Sequence, residues 1–164
     1  MRDAVVSTDG LYRYELFRRW AEGPRATWIM LNPSTADARA DDATVRRVMG
    51  FSQAFGCGAC IVVNLYAWRA TEPAELWKAA DPVGPHNSLY LVEAARRARL
   101  DDAPLIAAWG AHARAERIAE VLDLPGMDRL TALDVTRAGQ PRHPLYLRAD
   151  LKPRPWTMPA PAGV

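Results

Sequence analysis

Side chains that could do chemistry gather in four short stretches. Asn32-Pro33-Ser34-Thr35 closes the apolar run "WIML". Asn64 closes "CIVVN", with Tyr66, Trp68 and Arg69 close behind. Trp109, Gly110 and His112 follow "PLIAA", and a loop after "RLTALDV" holds Arg137, Gly139, Arg142, His143 and Tyr146. Amides, aromatic rings, an imidazole and guanidinium groups together suit a planar, hydrogen-bonding ligand such as a nucleobase. An asparagine side chain offers a donor and an acceptor side by side, as a base edge does. Asparagine before proline also favours a turn. Taken alone, Asn32-Pro33 reads equally as a turn or as a site.

The elements between these stretches decide whether they can meet. "LYRYELFRRW" places Tyr12, Tyr14 and Leu16 on one face at period two, a strand pattern. "ATWIML", "CIVVN", "PLIAAWG" and "RLTALDV" read as buried strands. In "DDATVRRVMGFSQAFG", Asp42 suits an N-cap, and Val45, Val48, Met49 and Phe55 share a helical face. A short helix fits near Pro73–Lys78. Pro85 suits a helix start, with Leu89, Val92 and Ala95 as its face. Residues 112–122 form a further helix, with Ala115, Ile118 and Leu122 aligned.

Strands alternating with helices predict βαβ units. The expected fold is therefore α/β: a three-layer α/β/α sandwich around a central, mainly parallel four-stranded sheet. An antiparallel N-terminal strand is allowed at its edge. Residues 1–150 form the single α/β domain, and 151–164 a proline-rich C-terminal tail. Strand ends of a parallel sheet share one edge, where ligands bind. All four stretches follow a strand, so the pattern converges them on one cleft.

Composition bounds the rest. The chain has 164 residues, enough for one sizeable core. Its formal charge of +2 permits contact with nucleic acid without arguing for it. No apolar run approaches the ~20 residues of a membrane helix, and the N-terminus lacks a signal-peptide core. Two cysteines make no disulfide framework, so the cytoplasm is the default compartment. Cys57 and Cys60 stand between a helix end and a strand, the reverse of a thioredoxin-type motif. No cofactor and no metal is called for.

The four strand ends resemble the uracil-DNA glycosylase superfamily, over most of residues 26–148. "LNPS" is similar to that superfamily's first motif in its Asn-Pro form, that of the mismatch-specific branch. "IVVN" resembles its base-reading strand, "LIAAWG" its Trp-Gly strand and "HPLYL" its His-Pro wedge loop. The resemblance implies cleavage of an N-glycosidic bond in DNA or a nucleotide, with nucleic acid or a nucleotide as partner. Asn32 would position the attacking water, and His143 would hydrogen-bond the base oxygen. Pro33, Ser34, Asn64 and Tyr66 would bind the base. Arg47, Arg142, Leu145 and Tyr146 would contact nucleic acid, Leu145–Leu147 forming the wedge.

The chain departs from that pattern at three places. The aromatic that stacks on the base in that superfamily has no clear counterpart here, with Tyr66, Trp68 and Phe51 as the candidates. Asn32 is an amide and orients water without accepting its proton. Asp41, Asp42, Thr44 and Arg47, in "DDATVRR", match no glycosylase motif and suit a helix cap, a phosphate or a metal. A non-catalytic binder of nucleic acid or nucleotide, and a metal-dependent hydrolase of a modified nucleotide, are the alternatives. "LNPSTAD", "DDATVRR", "NLYAWRAT" and "HPLYL" also resemble a family of small bacterial and phage proteins of unassigned function.

Overall fold

The structure is a computed structural model that describes residues 1–34 and 36–160. Thr35 of the first motif, and residues 161–164 of the proline-rich segment, lie outside the described residues. In chain order the elements are β1 (Arg2–Val6), β2 (Arg13–Arg19), β3 (Arg25–Met30), α1 (Ala43–Ala54), β4 (Ala59–Asn64) and α2 (Pro73–Leu76). There follow α3 (Asn87–Leu100), β5 (Leu105–Ala107), α4 (Ala115–Leu122), β6 (Leu130–Ala132) and β7 (Arg154–Pro155). No helix among the described residues is long and apolar enough to cross a membrane.

The sheet corrects the sequence-based expectation. It has seven strands in the order β1-β2-β4-β3-β5-β6-β7 and is mixed, not a mainly parallel sheet of four. β1 with β2, β2 with β4, and β6 with β7 pair antiparallel; β4 with β3, β3 with β5, and β5 with β6 pair parallel. β2 is no edge strand, because β1 covers its outer side. The strands that periodicity missed carry little apolar signal. β1 is half exposed, and β7 is two exposed residues, Arg154 and Pro155. Backbone pairing holds them, and hydrophobic alternation does not report it.

Side chains alternate across β3 and divide the core in two. Trp28 and Met30 pack with Val48 and Phe51 of α1. Ile29 packs on the opposite face with Leu91 and Ala95 of α3 and Ile118 of α4. Asp42 caps α1 by accepting from the Val45 amide at 2.8 Å. The Trp28 indole donates to Ser52 Oγ of the same helix at 3.0 Å. In α3 the buried stripe is Leu91, Ala94, Ala95 and Ala98, and Leu89 is 67% exposed. The helix begins at Asn87 rather than Pro85, and its face is rotated from the expected one.

A β-bulge interrupts β2. Val5 pairs with Glu15, whereas Val6 pairs with Arg13, so Tyr14 is the extra residue. Two residues of β2 stand opposite one of β1 there, and the faces swap beyond it. Tyr14 stacks on Tyr90 of α3 at 5.0 Å, while Leu16 packs on the α1 side. The expected Tyr12-Tyr14-Leu16 face is therefore broken, and Arg13 takes Tyr14's place on the α1 side.

At the C-terminal end, Trp156 is buried. It meets Trp109 edge-on at 5.2 Å and donates its indole N–H to the Gly139 carbonyl at 2.9 Å. Cys57 and Cys60 are buried and unbridged, and burial pushes the Cys60 thiol up to about 12, an inert thiol.

Candidate functional site

A cleft of about 540 Å³ opens where β3, β4 and β5 end, between the first turn of α1 and the segment 136–147. That volume suits a small organic ligand. Asn32, Ser34, Asn64, Arg142, His143, Leu145 and Tyr146 all line it. Pro33, Tyr66 and Arg47 do not. Arg13, Asp42, Thr44 and His112 line it as well.

The floor is set by backbone pairing. The amides of Leu65 and Tyr66 donate to the carbonyls of Met30 and Leu31 at 2.9 and 3.0 Å, extending the β3–β4 contact past the strands. The Asn32 side chain continues it. Its Nδ2 donates to the Ala70 carbonyl at 2.8 Å and the Pro33 carbonyl at 3.0 Å. With its nitrogen committed, Asn32 has its Oδ1 left as an acceptor among the described residues. Pro33 itself is buried and anchors the Ala70 amide at 3.0 Å.

Asn64 differs. It is 1% exposed and lines the cleft, and among the described residues neither Oδ1 nor Nδ2 has a partner. Two unpaired polar atoms in so buried a place cost about 1–3 kcal/mol each. Their neighbour Asn87 has its Nδ2 on structure, donating to the carbonyls of Asn64 and Leu65 at 2.9 Å each, and only its Oδ1 is unpartnered among the described residues.

Asp42 stands across the cleft at the start of α1. Its carboxylate accepts from the Val45 amide and from the Ser34 hydroxyl. Among the described residues it is the one carboxylate on the cleft's wall. Asp41 is separate, held by Arg18 at 2.7 Å and Arg2 at 3.1 Å. Among the described residues no group of three or more His, Cys, Asp or Glu side chains could hold a metal ion.

His143 heads a 3-10 turn, Pro144–Tyr146. Its Nδ1 accepts from the Leu145 amide at 3.2 Å, which places the proton of the neutral ring on Nε2. The His143 side chain is exposed at the cleft's edge, yet desolvation by the protein around it lowers its pKa, and the nearby Asp42 carboxylate opposes that shift. The folded chain then binds this proton more weakly than the unfolded chain. Its contribution to stability is present above a histidine's usual pKa and is lost as pH falls through the lowered one. An NMR titration of the ring is expected to give a midpoint below a histidine's usual value; an equal or higher midpoint contradicts it.

Arg47 holds the loop. From α1 its guanidinium donates to the carbonyls of Pro144 (3.3 Å) and Leu147, and it lies over the Phe51 ring. Tyr66 lies beneath the floor. Its hydroxyl accepts from the Arg114 amide at 3.2 Å, and Trp77 meets its ring edge-on. Arg142 sits at the mouth, half exposed, beside Asp134 at 3.5 Å. Tyr146 is 92% exposed at the rim. Gly110 turns at φ +76°, and its amide donates to the Pro141 carbonyl at 2.8 Å. That turn joins the end of β5 to the His143 segment.

Sequence reasoning passed over Arg13, because a strand that alternates regularly puts Tyr14, not Arg13, on this face. Only the bulge turns Arg13 towards the cleft.

No curated protein and no solved structure matches the chain. The likeness to uracil-DNA glycosylases thus rests on the four motifs alone. A family model does match, over residues 13–145, a span that opens on Arg13 and ends on Leu145, both on the cleft's wall. The chain belongs to the family described as protein of unknown function, DUF1643.

Proposed function

We propose that this chain is a uracil-DNA glycosylase-like protein that takes a nucleobase into the cleft and hydrolyses its N-glycosidic bond in DNA or a nucleotide. The observation that carries the reading is Asn64. An adjacent acceptor and donor, buried and unpartnered in a cleft of ligand size, match the edge of a base.

In this reading water adds to C1′ as the C1′–N bond breaks, and the base leaves with the bonding electron pair. Asn32 Oδ1 accepts a hydrogen bond from the water and orients it. His143, neutral with its proton on Nε2, donates to the base oxygen where negative charge grows. The water's proton passes to Asp42. Leu145 and Tyr146 fill the gap that the extruded base leaves.

Asp42→Asn separates chemistry from structure, since asparagine caps a helix as well as aspartate does. Turnover is expected to fall roughly 10²–10⁴-fold, the usual worth of a general base, with base affinity unchanged. Unchanged turnover would remove Asp42 from the mechanism. The activity itself is tested with duplex and single-stranded oligonucleotides carrying uracil, hypoxanthine, xanthine or mismatches. Abasic product is the expected result. Its absence across the panel, with folded protein in excess, refutes hydrolysis.

A further inference from the structure

Two buried arginines on β2 have opposite surroundings. Arg18 is 1% exposed and well supplied with partners. Its Nε donates to Asp41, Nη1 to the Phe17 carbonyl at 2.8 Å, and Nη2 to the carbonyls of Asp37 and Ala40. Arg13 is 3% exposed and nearly without them. Among the described residues its one hydrogen bond runs from Nη1 to the Ala36 carbonyl, and its Nε is buried with no partner. It forms no ion pair with any described carboxylate. Burial pulls its pKa down to about 10, which leaves it charged at neutral pH; Asp42 offsets part of that fall, and Arg69 adds to it.

A buried, charged guanidinium with idle donors is costly unless an anion completes it. Arg13 reaches the cleft only because the bulge at Tyr14 re-aims it, and bulges commonly serve that purpose beside sites. We propose that Arg13 is the anion-binding group of the cleft, and that the ligand it receives carries a phosphate ester. The phosphate assignment rests on the nucleobase reading above: a ligand with a base edge at Asn64 brings its charge as a phosphate. A guanidinium fork matches two phosphate oxygens. Asp42 makes no hydrogen bond to Arg13 among the described residues, which leaves the Arg13 Nε for the phosphate. The phosphate belongs either to a free nucleotide or to a nucleic-acid backbone.

Calorimetric titration of the full chain tests the proposal. The probes are the four common nucleosides, their 5′-monophosphates, ribose 5-phosphate and a short single-stranded oligonucleotide. A monophosphate is expected to bind at least about tenfold tighter than its nucleoside, the yield of one charge-assisted contact. Arg13→Gln should remove that advantage and leave nucleoside affinity in place. If that variant fails to fold, Arg13→Lys, which keeps the charge and loses the fork, should shrink it. An Arg13-dependent affinity for the oligonucleotide without a monophosphate advantage supports the proposal and assigns the phosphate to a backbone. Ribose 5-phosphate binding in an Arg13-dependent way, with no nucleoside bound, supports Arg13 and overturns the nucleobase reading. Nucleosides binding with no gain from any phosphate, and no response to Arg13, overturn the proposal and leave that reading intact. No binding by any probe overturns both.

Discussion

Asn64→Leu is expected to make the protein more stable while abolishing ligand binding. Leucine has nearly the shape of asparagine and needs no hydrogen bond. Removing two polar atoms that are buried and unpartnered among the described residues should raise unfolding free energy by about 1–3 kcal/mol for each. Affinity for a base-bearing ligand should fall at least about 100-fold, since two hydrogen bonds vanish. Urea denaturation and calorimetry read the two effects separately. Asn87→Leu is the control, because it is buried nearby and its Nδ2 holds two carbonyls at 2.9 Å. That change should cost about 1–3 kcal/mol for the Asn64 carbonyl it leaves bare, since the Leu65 carbonyl keeps the Arg117 Nε donor at 2.8 Å. Opposite signs at two adjacent buried asparagines would mark Asn64 as kept for a ligand. Destabilisation by Asn64→Leu would instead make Asn64 a structural residue.

The second large effect is expected at Arg18. It joins β2 to Asp41 and to the carbonyls of Asp37 and Ala40, so it holds the segment that leads into α1. Arg18→Met keeps the bulk but strips the charge from a pair whose partner, Asp41, is 10% exposed. Breaking such a pair costs about 3–5 kcal/mol, because the abandoned partners stay buried. Loss of Asp41's main partner should also loosen Asp42 and Ser34 and weaken whatever the cleft binds. Chemical denaturation checks the first effect, and ligand titration of the folded variant the second. A loss below about 1 kcal/mol would make the pair no better than a surface ion pair.

What the sequence revealed follows from what periodicity encodes. The buried strands β3 and β4 and the capped helix α1 were legible because apolar runs, β-branching and Asp42 mark them. Asn32, Asn64 and His143 were legible as strand-end or loop polar residues, and all three line one cleft. The sheet's full extent was not. β1 and β7 join by backbone hydrogen bonds that any sequence can make. Tyr66 and Arg47 were named for their chemistry, but the fold sets Tyr66 under the floor and spends Arg47 on the loop's carbonyls. Sequence spacing does not say which side of a loop faces in. Arg13 stayed hidden because a one-residue bulge inverts the faces of β2 without a marking glycine or proline.

The central claim is that a nucleobase sits against Asn64, and the side-chain amide of that residue reports on it directly. Its two Nδ2 protons can be followed by NMR in labelled protein and assigned by their disappearance in Asn64→Leu. The ligands are nucleosides and oligonucleotides carrying uracil, hypoxanthine or xanthine. The account predicts that a bound base shifts these two signals downfield as they enter hydrogen bonds, with shifts in Asn32 and His143 alongside. A base-bearing ligand that binds and leaves the Asn64 signals unmoved would contradict it.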